Sequence, residues 1–98
     1  MTLTYRIAYN ALMKVVELRE LNRRNVAIHY IREFTAIAVL QSKDSQTETE
    51  IAFVLESKAV GPPELSVRVL DPVDWPLLPV VRALREHIME LETSGRLN

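Results

Sequence analysis

Two neighbouring segments rich in strand-forming residues constrain the fold of this chain more than any other feature of its sequence. These segments are residues 34–41 and 49–57, and the polar run 42–48 joins them. β-Branched and aromatic residues favour strands, and a short polar connection between two strands is typical of an antiparallel hairpin. The sequence therefore predicts an antiparallel sheet organised around this hairpin.

Two further segments are candidates for additional strands. Residues 65–70 follow a Gly-Pro-Pro turn at 61–63, and their apolar–polar alternation predicts a third strand. Residues 26–31 fit either a strand or a helical turn, and the alternation of their apolar side chains favours a strand. Arg32 and Glu33 would then form a bend, a bulge or a tight turn before the hairpin.

A first helix is predicted over residues 5–22, where apolar side chains recur at helical spacing. The apolar arc is about 200° wide, whereas roughly 100° suffices for a helix that rests on one surface. This helix is therefore expected to contact more than one surface. Its last turn is expected to project beyond the core, where basic side chains complement the helix dipole.

A second helix is predicted over residues 79–93, where apolar and charged side chains segregate to opposite sides. Pro79 suits the first helical position, and Gly95 suits the residue that terminates a helix. An alternative start uses Asp74 as the N-cap and places a kink at Pro79.

These segments define the expected fold class. The chain has 98 residues, enough for one domain, which is expected to span residues 1–98. The predicted order is α-β-β-β-α, with one extra early strand left open. The prediction is an α+β fold with a three- to four-stranded antiparallel sheet and two helices packed on one face.

The face of this sheet that the helices leave uncovered is the main functional feature. Successive side chains of a strand point to opposite faces, so a face in contact with water only should be polar. That face instead carries several aliphatic residues, which predicts a contact with another protein, most simply a second copy. The alternatives are partial shielding by polar side chains or coverage by the N-terminal part of the chain. Trp75 is either a core residue or a presented aromatic anchor. The predicted interface residues are Ile37, Val39, Val54, Leu70 and Trp75.

The sequence shows no catalytic or cofactor-binding signature. Cysteine is absent and glycine occurs only twice, which excludes thiolate chemistry, Cys-ligated zinc and a Gly-rich phosphate loop. His29 and His87 stand outside any known catalytic or zinc spacing. Glu48 and Glu50 share a strand face, but they belong to the most polar hairpin in the chain, where burial would not raise a pKa. We therefore expect no enzymatic activity, no cofactor and no metal.

Charge distribution supports an alternative function. Residues 1–32 carry six basic and two acidic side chains, or +4, and residues 33–74 carry three basic and eight acidic ones, or −5. The basic third could contact phosphate through Arg19, Arg23 and Arg24 at the end of the first helix. The predicted element order is shared with double-stranded RNA-binding domains, but the segment before the last helix is acidic and apolar here. Nucleic-acid binding is therefore the second hypothesis.

The longest apolar run has five residues, 36–40, and the N-terminus lacks the pattern of a signal peptide. A cytoplasmic protein without a membrane contact is expected. The leading functional hypothesis is a small, non-catalytic protein–protein interaction module (an adaptor, assembly factor or regulatory subunit) that forms a homodimer.

Overall fold

The computed structural model describes residues 13–43, 45–71 and 73–97. Four strands form one sheet in chain order, with every neighbouring pair antiparallel. A helix follows them and packs on one face of the sheet. The α+β class, the antiparallel meander and the last helix are therefore confirmed. The elements are β1 (Met13–Arg24), β2 (Ile31–Ser42), β3 (Ser45–Glu56), β4 (Glu64–Val69) and α1 (Leu77–Thr93).

The prediction of a first helix is wrong over the described residues, because Met13–Arg24 is strand β1. Irregularities in the pairing of β1 with β2 lie between Val15 and Glu17 and between Arg19 and Asn22. A bulge inserts an extra residue and shifts the two-residue alternation. The core-directed residues Met13, Val15 and Leu18 consequently have helix-like spacing. The start of the predicted helix, residues 5–12, lies outside the described residues.

The order of the described elements is therefore β-β-β-β-α, with one helix on the sheet instead of two. The additional strand is β1, whereas the segment 26–31, the predicted extra strand, is mainly the connection between β1 and β2. Its Ile28 and Tyr30 side chains are exposed, and the amide of Ile31 donates a hydrogen bond to the carbonyl of Ile28 (3.2 Å). Arg32 and Glu33 are regular strand residues, because β2 begins at Ile31.

The central hairpin is longer than predicted. β2 and β3 pair from Ile31 opposite Glu56 to Ser42 opposite Ser45, so only positions 43 and 44 separate the strands. Lys43 has a φ of 51°, in the left-handed region that tight turns use. The polar residues 45–48 thus continue the strand, because they pair with β2 and need no apolar face of their own to do so.

The core lies between the sheet and α1. Phe34 of β2 and Phe53 of β3 are register partners, and their rings stack with centroids 4.9 Å apart. From the helix, Val80, Leu84 and Ile88 are buried against this layer. Aromatic and aliphatic burial of this extent supplies the main free energy that favours folding.

The two ends of α1 are held differently. The helix begins at Leu77, two residues before the predicted start, so Pro79 still lies in its first turn. At its C-terminus, the amide of Gly95 (φ 76°) donates to the carbonyl of Glu92 (3.1 Å), and the amide of Arg96 donates to that of Leu91 (2.9 Å). This pair of bonds is the Schellman arrangement, and it confirms Gly95 as the terminating residue.

Candidate interaction surfaces

We call the side of the sheet opposite α1 the far face. The core residues Phe34, Ala36, Ala38 and Leu40 alternate along β2, so the residues between them point to the far face. The register places Arg19, Ile37 and Glu50 side by side across β1, β2 and β3. The next row toward the hairpin turn contains Glu17, Val39 and Glu48.

The predicted interface residues on the far face differ in accessibility. Ile37 and Val54 are half-buried, which is the state expected for side chains on a sheet surface. Val39 is only 2% exposed, although it does not belong to the core cluster. A partner could therefore contact Ile37 and Val54 directly, whereas Val39 contributes little accessible surface.

An ion pair between Arg19 and Glu48 crosses the far face. The two side chains come from β1 and β3, so the pair spans the intervening strand β2. Arg19 is the register partner of Ile37, and Glu48 is that of Val39, so the ion pair lies on the same side of β2 as these aliphatic residues. The far face is therefore a mixed surface, in which charged side chains interrupt the aliphatic positions.

The half of the far face remote from the β2–β3 turn contains a groove. This groove has a volume of about 290 Å³ and includes Thr35, Ala52, Val54 and Ser66, while arginines from the two edge strands line its sides. The edge arginines are Arg24 of β1 and Arg68 of β4, and Glu33 lies 3.6 Å from Arg24. The groove thus combines a floor of small side chains with a charged rim.

Leu70 and Trp75 belong to a different surface, on the chain that links β4 to α1. We call residues 70–76 the connector. Leu70 is 43% exposed, whereas Trp75 is half-buried and packs against the core. Trp75 also lines a hollow of about 370 Å³, the connector hollow, so it serves both as a core contact and as a wall of this hollow. The other lining residues are Val69, Leu70, Asp71, Val73 and Leu77.

Hydrogen bonds attach the connector to β3. The amide of Leu70 donates to the carbonyl of Glu50 (2.8 Å), and the amide of Glu50 donates to the Asp71 carboxylate (3.3 Å). The buried hydroxyl of Thr49 donates to the carbonyl of Asp71 (3.2 Å). Asp71 thereby takes the place of a further β4 residue beside β3. The sequence contained no signal for this role, because an Asp-Pro pair is equally compatible with a free turn.

A second hollow, of about 360 Å³, adjoins the connector on the far-face side, and we call it the acidic hollow. Its lining includes the acidic residues Glu20, Glu48, Glu50 and Asp71, together with Asn22 and Ile37. Asp71 lines both this hollow and the connector hollow. The sequence prediction missed Asp71 and Leu77 as surface features.

The arginines proposed for nucleic-acid contact lie on strand β1, so the prediction that they end a helix is wrong. Arg19 is bound to Glu48, and Arg24 lies 3.6 Å from Glu33. Arg23 pairs with Phe34, so it points to the opposite side of the sheet from Arg24. The three side chains therefore do not form one basic patch.

The histidines lie apart from each other. His29 is exposed in the connection between β1 and β2. His87 is half-buried on α1, and burial lowers its pKa, an effect that Glu90 partly opposes. Among residues 13–43, 45–71 and 73–97 there is no group of three His, Cys, Asp or Glu residues that could hold a metal ion. Over the same residues, no helix is long and apolar enough to cross a membrane.

Comparisons with known proteins give one kind of information. The model of a protein family, described as the BB_0187 family, matches residues 10–93 of the chain. Searches among curated proteins and among solved structures gave no match.

Proposed function

The chain belongs to this family, and we propose that it is a small, non-catalytic protein–protein interaction module: an adaptor, assembly factor or regulatory subunit. The far face is the proposed contact surface, and its simplest partner is a second copy of the same chain. Family membership by itself assigns no activity, so the proposal depends on the surfaces described above.

The observation that carries the proposal is the one-sided coverage of the sheet. Helix α1 packs on the face that holds Phe34 and Phe53, while Ile37 and Val54 lie half-buried on the other face. Within residues 13–43, 45–71 and 73–97, no strand or helix packs over the far face. Complete burial of an Ile or Val side chain contributes about 1.5–3 kcal/mol, so a partner that covers these residues gains free energy.

The charged side chains of the far face support the same proposal. Arg24 and Arg68 lie on its edges, and Glu33 and Glu50 lie nearer its centre. Apolar positions surrounded by polar ones are typical of protein interfaces. Both signs of charge occur on one face, so two copies related by a two-fold axis can present complementary charges to each other.

Two valine substitutions test the proposal. Val54→Asp places a charge on the far face, and Val60→Asp places the same charge in the exposed loop between β3 and β4. Static light scattering measures the molar mass of each variant, and circular dichroism checks that it is folded. We expect the wild type and Val60→Asp to have twice the 11.2 kDa mass of one chain, and Val54→Asp to approach the monomer mass.

Arg68→Glu provides a second variant, because Arg68 is exposed at the rim and its replacement leaves the aliphatic residues in place. A wild type that is monomeric and captures no protein from its native cell extract would contradict the proposal. A monomeric wild type that captures a partner, and loses it in Val54→Asp but not in Val60→Asp, would replace the homodimer with a heteromeric complex on the same face.

A further inference from the structure

The connector presents aliphatic side chains to solvent beside a preformed hollow. Leu70 and Leu77 are 43% and 57% exposed, and both line the connector hollow with Val73 and Trp75. A hollow of about 370 Å³ with apolar walls has the size and character of a pocket for one or two large side chains. It lies beyond the central residues of the far face, so it is a distinct surface.

The surroundings of this hollow carry negative charge. The adjoining acidic hollow contributes four carboxylates, of which Glu48 is bound to Arg19. Asp74 of the connector is also exposed. Clustered carboxylates at the surface attract cationic side chains and accelerate the association of a partner that carries them.

The connector is held in place before any partner binds. The Glu50 amide and the Thr49 hydroxyl hold Asp71 from both its carboxylate and its carbonyl. Pro76 and Pro79 further restrict the backbone on the other side of Trp75. A surface that is already ordered loses little conformational entropy on binding.

We infer that the connector hollow and the acidic hollow together form a docking surface for a segment of another protein, in which one large aliphatic or aromatic residue lies next to Lys or Arg. The apolar residue occupies the hollow beside Trp75 and Leu77, and the basic residues face Glu50, Asp71 and Asp74. This inference rests on the proposed function, to which it adds the chemistry of a partner.

A random peptide library identifies the preferred segment even while the partner protein is unidentified. A phage-displayed library of 12-residue peptides is selected against the purified wild-type protein, and the affinities of the enriched peptides are measured by fluorescence anisotropy. We expect a consensus with a Leu, Ile, Phe or Trp close in sequence to at least one Lys or Arg. We also expect binding to weaken as the salt concentration rises, because screening reduces the attraction between charges.

Leu77→Asp and Leu78→Asp form a matched pair for this measurement. Both residues lie in the first turn of α1, where an added aspartate is compatible with the helix dipole. Leu77 lines the hollow, whereas Leu78 is absent from its lining although it is 76% exposed. We expect Leu77→Asp to weaken peptide binding at least about tenfold, and Leu78→Asp to leave it unchanged.

Glu50→Lys and Glu64→Lys provide the corresponding test of charge. Glu50 lines the acidic hollow, and Glu64 lies at the opposite end of the sheet beside Glu56. Glu50→Lys is expected to weaken binding about two- to fivefold, and Glu64→Lys to have no effect.

Enrichment of acidic peptides, absence of any enriched peptide, or equal binding to Leu77→Asp and Leu78→Asp would overturn the inference. A fall in the molar mass of the protein itself in Leu77→Asp would also overturn it, because the occupant would then be a second copy. These outcomes leave the proposed function intact if Val54→Asp still disrupts the assembly, so the two proposals fail separately.

Discussion

Arg32 of β2 and Glu92 in the last turn of α1 form a two-bond ion pair. Arg32 Nη1 lies 3.0 Å from Glu92 Oε1, and Arg32 Nη2 lies 2.8 Å from Glu92 Oε2. The side chains are only 18% and 21% exposed, so water screens the pair less than it screens the other ion pairs in the described chain. The ion pair ties the C-terminal end of the helix to the second strand, 60 residues earlier in the chain.

Removal of the charge on Glu92 is expected to destabilise the protein. Glu92→Gln keeps the size of the side chain but loses the charge-assisted bonds, which are worth about 1–2 kcal/mol in a partly buried site. A double-mutant cycle with Arg32→Met, measured by urea denaturation, should show a coupling free energy of this size. Glu90→Gln, at an exposed position of the same helix, is the control. A coupling free energy near zero would show that the pair contributes nothing to stability.

The same ion pair predicts how stability depends on pH. The hydrogen bonds from Arg32 lower the pKa of Glu92, so the folded state holds the ionised form more strongly than the unfolded state does. The contribution of the pair is fully present above the ordinary glutamate pKa of about 4.3 and is lost as the pH falls through the lower folded-state value. Melting temperatures measured between pH 7 and pH 3 should fall less steeply for Glu92→Gln than for the wild type. Parallel curves for the two proteins would contradict this assignment.

Truncation of Phe53 tests the position of the core. Phe53 is 1% exposed and stacks on Phe34, so Phe53→Ala removes a large buried side chain from the centre of the sheet. The expected loss is about 3–5 kcal/mol of unfolding free energy, measured by chemical denaturation. Val60→Ala, in an exposed loop, should change the stability by less than about 0.5 kcal/mol. A small effect of Phe53→Ala would indicate a different register for β3.

Loss of the Thr49 hydroxyl should loosen the connector. Thr49 is 1% exposed and donates to the carbonyl of Asp71, so Thr49→Val leaves a backbone acceptor without this donor. We expect a destabilisation of about 1 kcal/mol and faster hydrogen exchange of the Leu70 amide, which bonds to Glu50. Thr47→Val, two residues earlier on β3, is the control. Unchanged exchange at Leu70 in Thr49→Val would show that the connector is held by other contacts.

Local patterns predicted the regular elements near the core well. The alternation around Phe34 and Phe53 identified the hairpin, and the apolar stripe through Leu84 and Ile88 identified the last helix. Both patterns follow from geometry that each segment carries within itself. The end of the helix was equally predictable, because Gly95 adopts a left-handed conformation at little cost.

Strand β1 could not be predicted in this way. Its two irregularities change the spacing of Met13, Val15 and Leu18, and only the pairing with β2 shows that these side chains share a face. Long-range hydrogen bonding to a neighbouring strand overrides the local helical periodicity. The prediction for the segment 26–31 failed for the related reason that it has no partner strand beyond the first residue of β2.

The sequence by itself determined that the sheet carries aliphatic side chains on both faces, because alternation along a strand is a local property of the backbone. Only the tertiary structure decided how those side chains are presented. The Arg19–Glu48 pair across β2, the attachment of Asp71 to β3 and the dual position of Trp75 each join residues far apart in the chain. Such contacts depend on strand order and register, which no single segment encodes.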